Sequence, residues 1–172
     1  MDDRRVRFET LALAHLDAAY NLARWLSRSP ADADDIVQEA MLRAWRAFGN
    51  VRTETIKPWL LAIVRNCCRD HLGRRAQWQP LDDAQAQALP SDAPSPEDEA
   101  AWRAERARLD GMLGRLPAEF REVLVLREME DMSYREIAEV TGAPIGTVMS
   151  RLARARTLLK EHWNSGGGHG LP

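Results

Sequence analysis

The sequence predicts an all-α protein of two small helical domains joined by a flexible acidic linker, the C-terminal one carrying a helix-turn-helix. Three observations lead there. Apolar residues recur at three- and four-residue spacing on both sides of the chain's middle, and no run alternates as a strand does. The stretch QPLDDAQAQALPSDAPSPEDE, residues 79–99, has no such period and carries six acids with no Lys or Arg, the composition of a solvated spacer. Finally, SYREIAEVTGAPIGTVMSRLARAR, Ser133 to Arg156, sets two short helix patterns around a Gly-Ala-Pro turn.

Taken in order, Phe8, Leu11, His15, Ala18, Leu22 and Trp25 form one stripe, which predicts a first helix broken at Ser29-Pro30. A second helix is expected from about Ala33 to Phe48, with Ile36, Val37, Ala40, Met41, Ala44 and Phe48 on its apolar side. The loop GNVRTETIK leads to a third, PWLLAIVRNCCRDHLGRR, with Pro58 in its first turn, where a missing amide proton costs nothing. Its apolar stripe is Trp59, Ile63, Val64, Cys67 and Leu72. Beyond the spacer, one helix runs from near Glu97 to about Arg115, and Pro117 starts another. Ser133 with Glu136 three residues on is a capping box that opens YREIAEV. Gly142 supplies the C-terminal turn of that short helix, and Pro144 marks the start of the next. The expected domains are therefore 1–78 and 100–163, with the linker at 79–99 and a disordered tail at 164–172.

Composition narrows the classes. The 172 residues hold 24 Lys and Arg against 26 Asp and Glu, and the six unpaired acids of the linker hide two flanking regions of slight positive charge. No window approaches the ~18 consecutive apolar residues of a membrane span. The apolar N-terminal stretch is interrupted by His15 and Asp17 and lacks a cleavage site, so no signal peptide and a cytoplasmic location are expected. The two cysteines, Cys67 and Cys68, are neighbours and form no disulfide framework. There is no Gly-rich phosphate loop, no nucleophile elbow and no cluster of catalytic carboxylates, so no enzyme, no cofactor and no small-molecule substrate are expected. Cys67 and His71 lie one turn apart, but Cys67 belongs to the apolar stripe and no four-ligand set accompanies it, so no metal is expected.

The last helix is the most informative element. At 100° per residue, Val148, Leu152, Ala155 and Leu159 share one side, with Ile145 and Met149 at its margins, while Thr147, Ser150, Arg151 and Arg154 fall within about 100° on the other. A helix-turn-helix protein needs these opposed faces, because its second helix packs on the first while its outer face enters the major groove. Arginine donates two hydrogen bonds to guanine N7 and O6, and Thr and Ser reach phosphates or base edges. In the first domain, Asp34, Asp35, Gln38 and Glu39 make an acidic strip on the second helix, with Arg43 and Arg46 further along. Acids near a helix N-terminus are favoured by the macrodipole and need no partner, so the strip alone does not decide between solvation and docking.

Together, DADDIVQEAMLRAWR, PWLLAIVRNCCRDHLGRR and LPAEFREVLVLREMEDMSYREIAEVTGAPIGTVMSRLARARTLLK resemble successive segments of the extracytoplasmic-function group of sigma-70 family transcription initiation factors, in the family's order over most of residues 8–163. The resemblance implies a factor that binds core RNA polymerase and directs initiation at promoters with −10 and −35 elements. Asp34, Asp35, Gln38, Glu39 and Arg43 match the segment that docks on the polymerase clamp helices. The loop from Gly49 to Lys57 and the helix after it match the part that reads and melts the −10 element, which places Arg52, Lys57, Arg65, Asn66, Arg69, Arg74 and Arg75 there. Trp59 is either a stacking surface for an unstacked base or core. Ser133, Arg135, Thr147, Ser150, Arg151 and Arg154 match the −35 reader. Further implications are an anti-sigma factor as partner, no membrane insertion, and a compact member without the inhibitory segment or intermediate domain of housekeeping factors. The free factor is expected to bind promoter DNA poorly, because both domains are small and the linker can bring its acidic segment near the basic faces. A stand-alone helix-turn-helix regulator remains the alternative, but such proteins usually dimerise on paired half-sites.

Overall fold

The computed structural model describes residues 3–49, 51–78 and 96–165; the predicted linker, apart from its last residues, and almost all of the predicted tail lie outside them, as does the side chain of Arg75. Among the described residues eight α-helices run in order: α1 (Asp3–Ala12), α2 (Leu16–Ser27), α3 (Pro30–Ala47), α4 (Ile56–Trp78), α5 (Pro96–Gly114), α6 (Ala118–Leu124), α7 (Tyr134–Thr141) and α8 (Ile145–Ser165). No strand occurs among the described residues.

The helix ends follow the local chemistry. The Ser29 side chain accepts from the Asp32 amide at 3.3 Å and Pro30 takes the first helical position, so α3 starts three residues earlier than its apolar stripe suggests. The capping box at α7 is complete: the Glu136 amide donates to Ser133 Oγ at 3.2 Å, and the Ser133 amide donates to Glu136 Oε2 at 2.8 Å. Gly142 closes α7 in the left-handed conformation at φ 68°. Two features depart from the sequence reading. The predicted first helix is divided by a 3₁₀ turn at Leu13–His15, and the helix after Pro117 ends in a π-helical turn at Val125–Met129. Neither turn contains Gly or Pro, the residues that announce a break.

Helices α2, α3 and α4 pack on one another. At the far end of this unit, Phe8, Ala12, Ala44, Phe48, Ile56 and Leu60 form a separate core in which the Phe8 ring meets Trp45 and Phe48 edge-on, both at 5.2 Å. Trp59 packs half-buried against this cluster, 6.3 Å from Phe48, so it belongs mainly to the core. In the C-terminal half α8 packs on α6 and α7 through Val148, Leu152 and Ala155, as its periodicity predicts. The two halves are not apart. Helix α4 lies along α7 and α2 along α6, so that Leu22, Leu26, Val64 and Cys68 share one continuous apolar core with Leu113, Leu124, Leu126 and Ile137.

Candidate DNA-binding and docking surfaces

Polar groups decorate the seam between the halves. Arg65 on α4 pairs with Glu122 on α6, and both side chains are nearly buried. Burial pushes the Glu122 carboxyl above its usual range, outweighing the pull of Arg65 in the opposite direction. Lys57 donates to the Glu130 carbonyl at 2.8 Å and lies 3.4 Å from its carboxylate, which also accepts from Asn21. Arg24 reaches Asp110 at 3.4 Å, and Arg28 crosses Gly114 to donate to its carbonyl, in space a side chain there would occupy. Arg121 is buried beside Arg28, and its guanidinium is lowered to about 10, chiefly by burial.

The residues expected at the −10 element therefore divide. Arg52, Asn66, Arg69 and Arg74 are exposed, with Arg74 donating to the Asp70 carbonyl of its own helix. Lys57 and Arg65 are engaged by the C-terminal half. The acidic segment expected near the basic faces is the linker, which lies almost wholly outside the described residues; the acids that do meet this face are Glu122 and Glu130 of the C-terminal half. Arg69 joins Arg65, Leu72, Glu119 and Glu122 around the cleft at this seam.

On the helix-turn-helix, Ser150 and Arg154 are exposed and Thr147 is half-buried, all on the side away from Val148 and Leu152. Arg151 keeps about a quarter of its side-chain exposure and lies 3.7 Å from Glu119. Arg135 on α7 is exposed; Ser133 is exposed too, but its hydroxyl already accepts the cap bond. Arg156, which also faces outward, is held by Glu128 at 2.8 Å.

On α3, Asp34, Asp35 and Gln38 are exposed, and Glu39 is half-buried with Arg43 bridging it to Asp70, 2.7 Å from each. Beside this strip the break at Leu13–His15 turns out Leu13 and Leu16, which with Leu42, Met41 and Trp45 line an apolar groove edged by Asp17, Asp34 and Gln38. Leu13, Leu16 and Leu42 are exposed and were not singled out in the sequence; the available signal was their position off the buried stripes. On the other side of α3, His71 Nε2 lies 3.3 Å from Asp32 Oδ1. Among the described residues no group of three or more metal-ligand side chains gathers, and no helix is long and apolar enough to cross a membrane. Cys67 and Cys68 are both buried and reduced, their thiols pushed up mainly by burial, Cys68 to about 12.

A helix-turn-helix with an open polar face, set beside a second helical unit with its own basic helix, is the arrangement of a DNA-binding protein. Residues 11–78 match the Sigma-70 region 2 model and residues 106–159 the Sigma-70 region 4 model. The chain is 38% identical over 159 residues to the ECF RNA polymerase sigma factor SigM of Mycobacterium tuberculosis, covering 90% of this chain and 76% of that one. It is 34% identical to the RNA polymerase sigma-H factor of Pseudomonas aeruginosa, covering 90% and 84%. It is also 35% identical to the ECF sigma factor SigE of Mycolicibacterium smegmatis, covering 90% of this chain and spanning 61% of that protein's length. Among solved structures it is similar to CnrH in complex with the cytosolic domain of CnrY, at TM-score 0.69 and 27% identity over 95% of this chain and 91% of that one. It is equally similar, at TM-score 0.69 and 28% identity over 92% and 97%, to the sigma factor RpoE in complex with the anti-sigma factor NepR from Bartonella quintana. The chain belongs to the extracytoplasmic-function group of the sigma-70 family of RNA polymerase sigma factors.

Proposed function

We propose that this factor binds core RNA polymerase through α3 and the groove beside it, and places its two basic helices on two promoter elements. The strip Asp34, Asp35, Gln38 and Glu39, with Arg43, supplies charge complementarity to a cationic helical partner. Leu13, Leu16 and Leu42 supply the apolar contact. The segment 49–57 and α4, with Arg52, Lys57, Arg65, Asn66, Arg69, Arg74 and Arg75, take the −10 strand as it melts, a task that needs cationic backbone contacts. Thr147, Ser150, Arg151 and Arg154 enter the major groove at −35, with Arg135 and the Ser133 end of α7 against the phosphates. The residue ranges 1–78 and 100–163 are the two functional units. The factor acts in the cytoplasm and supplies promoter choice while the polymerase supplies the chemistry.

The observation that carries this reading is the open outer face of α8 in a chain that also exposes an acidic strip beside an apolar groove. Because Glu122 and Glu130 hold Arg65 and Lys57, the −10 surface is complete only when the seam opens, and engagement of the polymerase is the event that opens it. An anti-sigma factor is a further partner, in keeping with the complexes of CnrH and RpoE; its binding surface overlaps the polymerase-facing helices. In vitro transcription from genomic DNA by core polymerase, with and without this chain, tests the proposal. New RNA 5′ ends that share two spaced upstream motifs support it. Specific DNA binding by the chain without new starts points to a stand-alone regulator instead.

A further inference from the structure

Helix α1 carries Arg4, Arg5 and Arg7, all ahead of residue 11, where the match to region 2 begins. Arg5 pairs with Glu9 one turn along. Arg4 and Arg7 instead reach more than forty residues along the chain, to the exit of α3. Arg4 donates from Nη2 to the Trp45 carbonyl at 2.8 Å and from Nε to the Phe48 carbonyl at 3.0 Å, with its guanidinium 4.7 Å from the Trp45 ring centroid. The Phe48 carbonyl belongs to the residue just past the end of α3, and the Trp45 carbonyl, in its last turn, also accepts from the Phe48 amide at 3.4 Å, so Arg4 caps the C-terminal end of the helix.

Arg7 does something different. Its Nη2 donates to the Val51 carbonyl at 2.6 Å and its Nη1 more loosely to the Gly49 carbonyl at 3.5 Å, while the guanidinium lies 5.5 Å from the Phe48 ring centroid. Both acceptors are beyond the end of α3, in the segment that leads to Arg52 and Lys57. The planar fork of arginine spans two carbonyls at once, which an ammonium does not do. The Phe48 ring beneath is itself fixed, buried against Phe8. The segment's backbone is thus tied on one side to α1.

We propose that Arg7 is a positioning residue for −10 recognition: it holds the segment beginning at Gly49 in the path that presents Arg52 and Lys57 to the DNA strand. This rests on the reading of 49–57 as the −10 segment. Holoenzyme formed from the full chain and core polymerase is titrated with a fluorescent single strand carrying the −10 element of a promoter mapped by the transcription experiment. Arg7→Ala is expected to weaken that binding roughly tenfold, the scale of losing a charge-assisted hydrogen bond. Affinity for core polymerase and discrimination at −35 stay unchanged. The dependence of log K on log salt keeps its slope, since no phosphate contact is lost. Arg7→Lys keeps the charge and guards against misfolding; it is expected to bind nearly as weakly as the alanine variant.

Wild-type affinity for Arg7→Lys, or a salt slope reduced by about 0.7, makes Arg7 an ordinary cation near the strand and overturns the proposal. Equal weakening by Arg4→Ala, in step with lost thermal stability, reduces Arg7 to a structural tie and also overturns it. Arg52→Ala separates the two levels. If it weakens the strand and Arg7→Ala does not, positioning by Arg7 fails alone; if neither does, the assignment of the segment fails and takes the positioning role with it.

Discussion

Helices α4 and α8 both turn arginines away from their own apolar stripes, yet those arginines meet different surroundings. On α4 Arg65 is nearly buried against Glu122, and Lys57 in the first turn of the helix is held by Glu130. On α8 Ser150 and Arg154 face outward, and Arg151 has only a longer-range acid, Glu119 at 3.7 Å. Composition does not separate the two helices; the position of three glutamates does. One candidate DNA surface has two of its cations, Lys57 and Arg65, held by the other half of the molecule, and the other is open; on the proposed reading, −10 recognition is the gated step in the free factor.

Reversing a charge at the seam breaks that contrast most forcefully. Glu122→Lys leaves Arg65 without its partner and sets a like charge beside it, and losing one member of a buried pair costs about 3–5 kcal/mol. The expected outcome is a larger radius of gyration by solution scattering and tighter binding of the free factor to a −10 single strand. An unchanged radius with unchanged DNA affinity would sink the gating. Asp35→Lys combined with Glu39→Lys sharpens the contrast from outside, since both residues lie on α3, away from the seam. Assembly with core polymerase should weaken by about 2–4 kcal/mol through like-charge contact, with the radius of the free factor unaltered. Normal holoenzyme formation in a pull-down titration removes these carboxylates from the docking surface.

On the open side, Arg151→Ala is expected to cost about 1–3 kcal/mol at a single −35 position and nothing in polymerase binding, as measured by transcription from a set of −35 variants. Equal loss on every template would make Arg151 a phosphate contact. The smallest effect is one of pH. Burial raises the Glu122 carboxyl above its ordinary 4.5, so the closed state takes up a proton more readily than an open state with Glu122 in water. Closing is therefore favoured as pH falls from the raised value toward 4.5 and is independent of Glu122 well above it. Energy transfer between dyes on the two halves should rise over that interval, and Glu122→Gln, which mimics the protonated form, should abolish the dependence. A rise that survives in Glu122→Gln belongs to another group.

Local chemistry was legible in the sequence wherever it was complete within a few residues. Ser133 with Glu136, Gly142 and Pro144 define the turn, and the 100° step places Val148, Leu152 and Ala155 inside α8, as the structure has them. The seam was hidden because its partners are 57 residues apart in the case of Arg65 and Glu122, and 73 for Lys57 and Glu130. Within AEFREVLVLREME those acids look like the polar side of an ordinary amphipathic helix. The groove was missed for a related reason. Leu13, Leu16 and Leu42 converge only because the chain kinks at Leu13–His15, and that kink has no Gly or Pro to announce it.

The two adjacent cysteines bear on what this factor can sense. The thiolate is the species that attacks peroxides and disulfides, and burial in the shared core pushes the Cys68 thiol up to about 12, away from that form at neutral pH. Cys67 is buried beside it and shifted in the same direction. Neither cysteine is therefore placed to serve as a peroxide-sensing thiol while the chain stays folded and closed, and opening of the shared core would be the event that exposes Cys68.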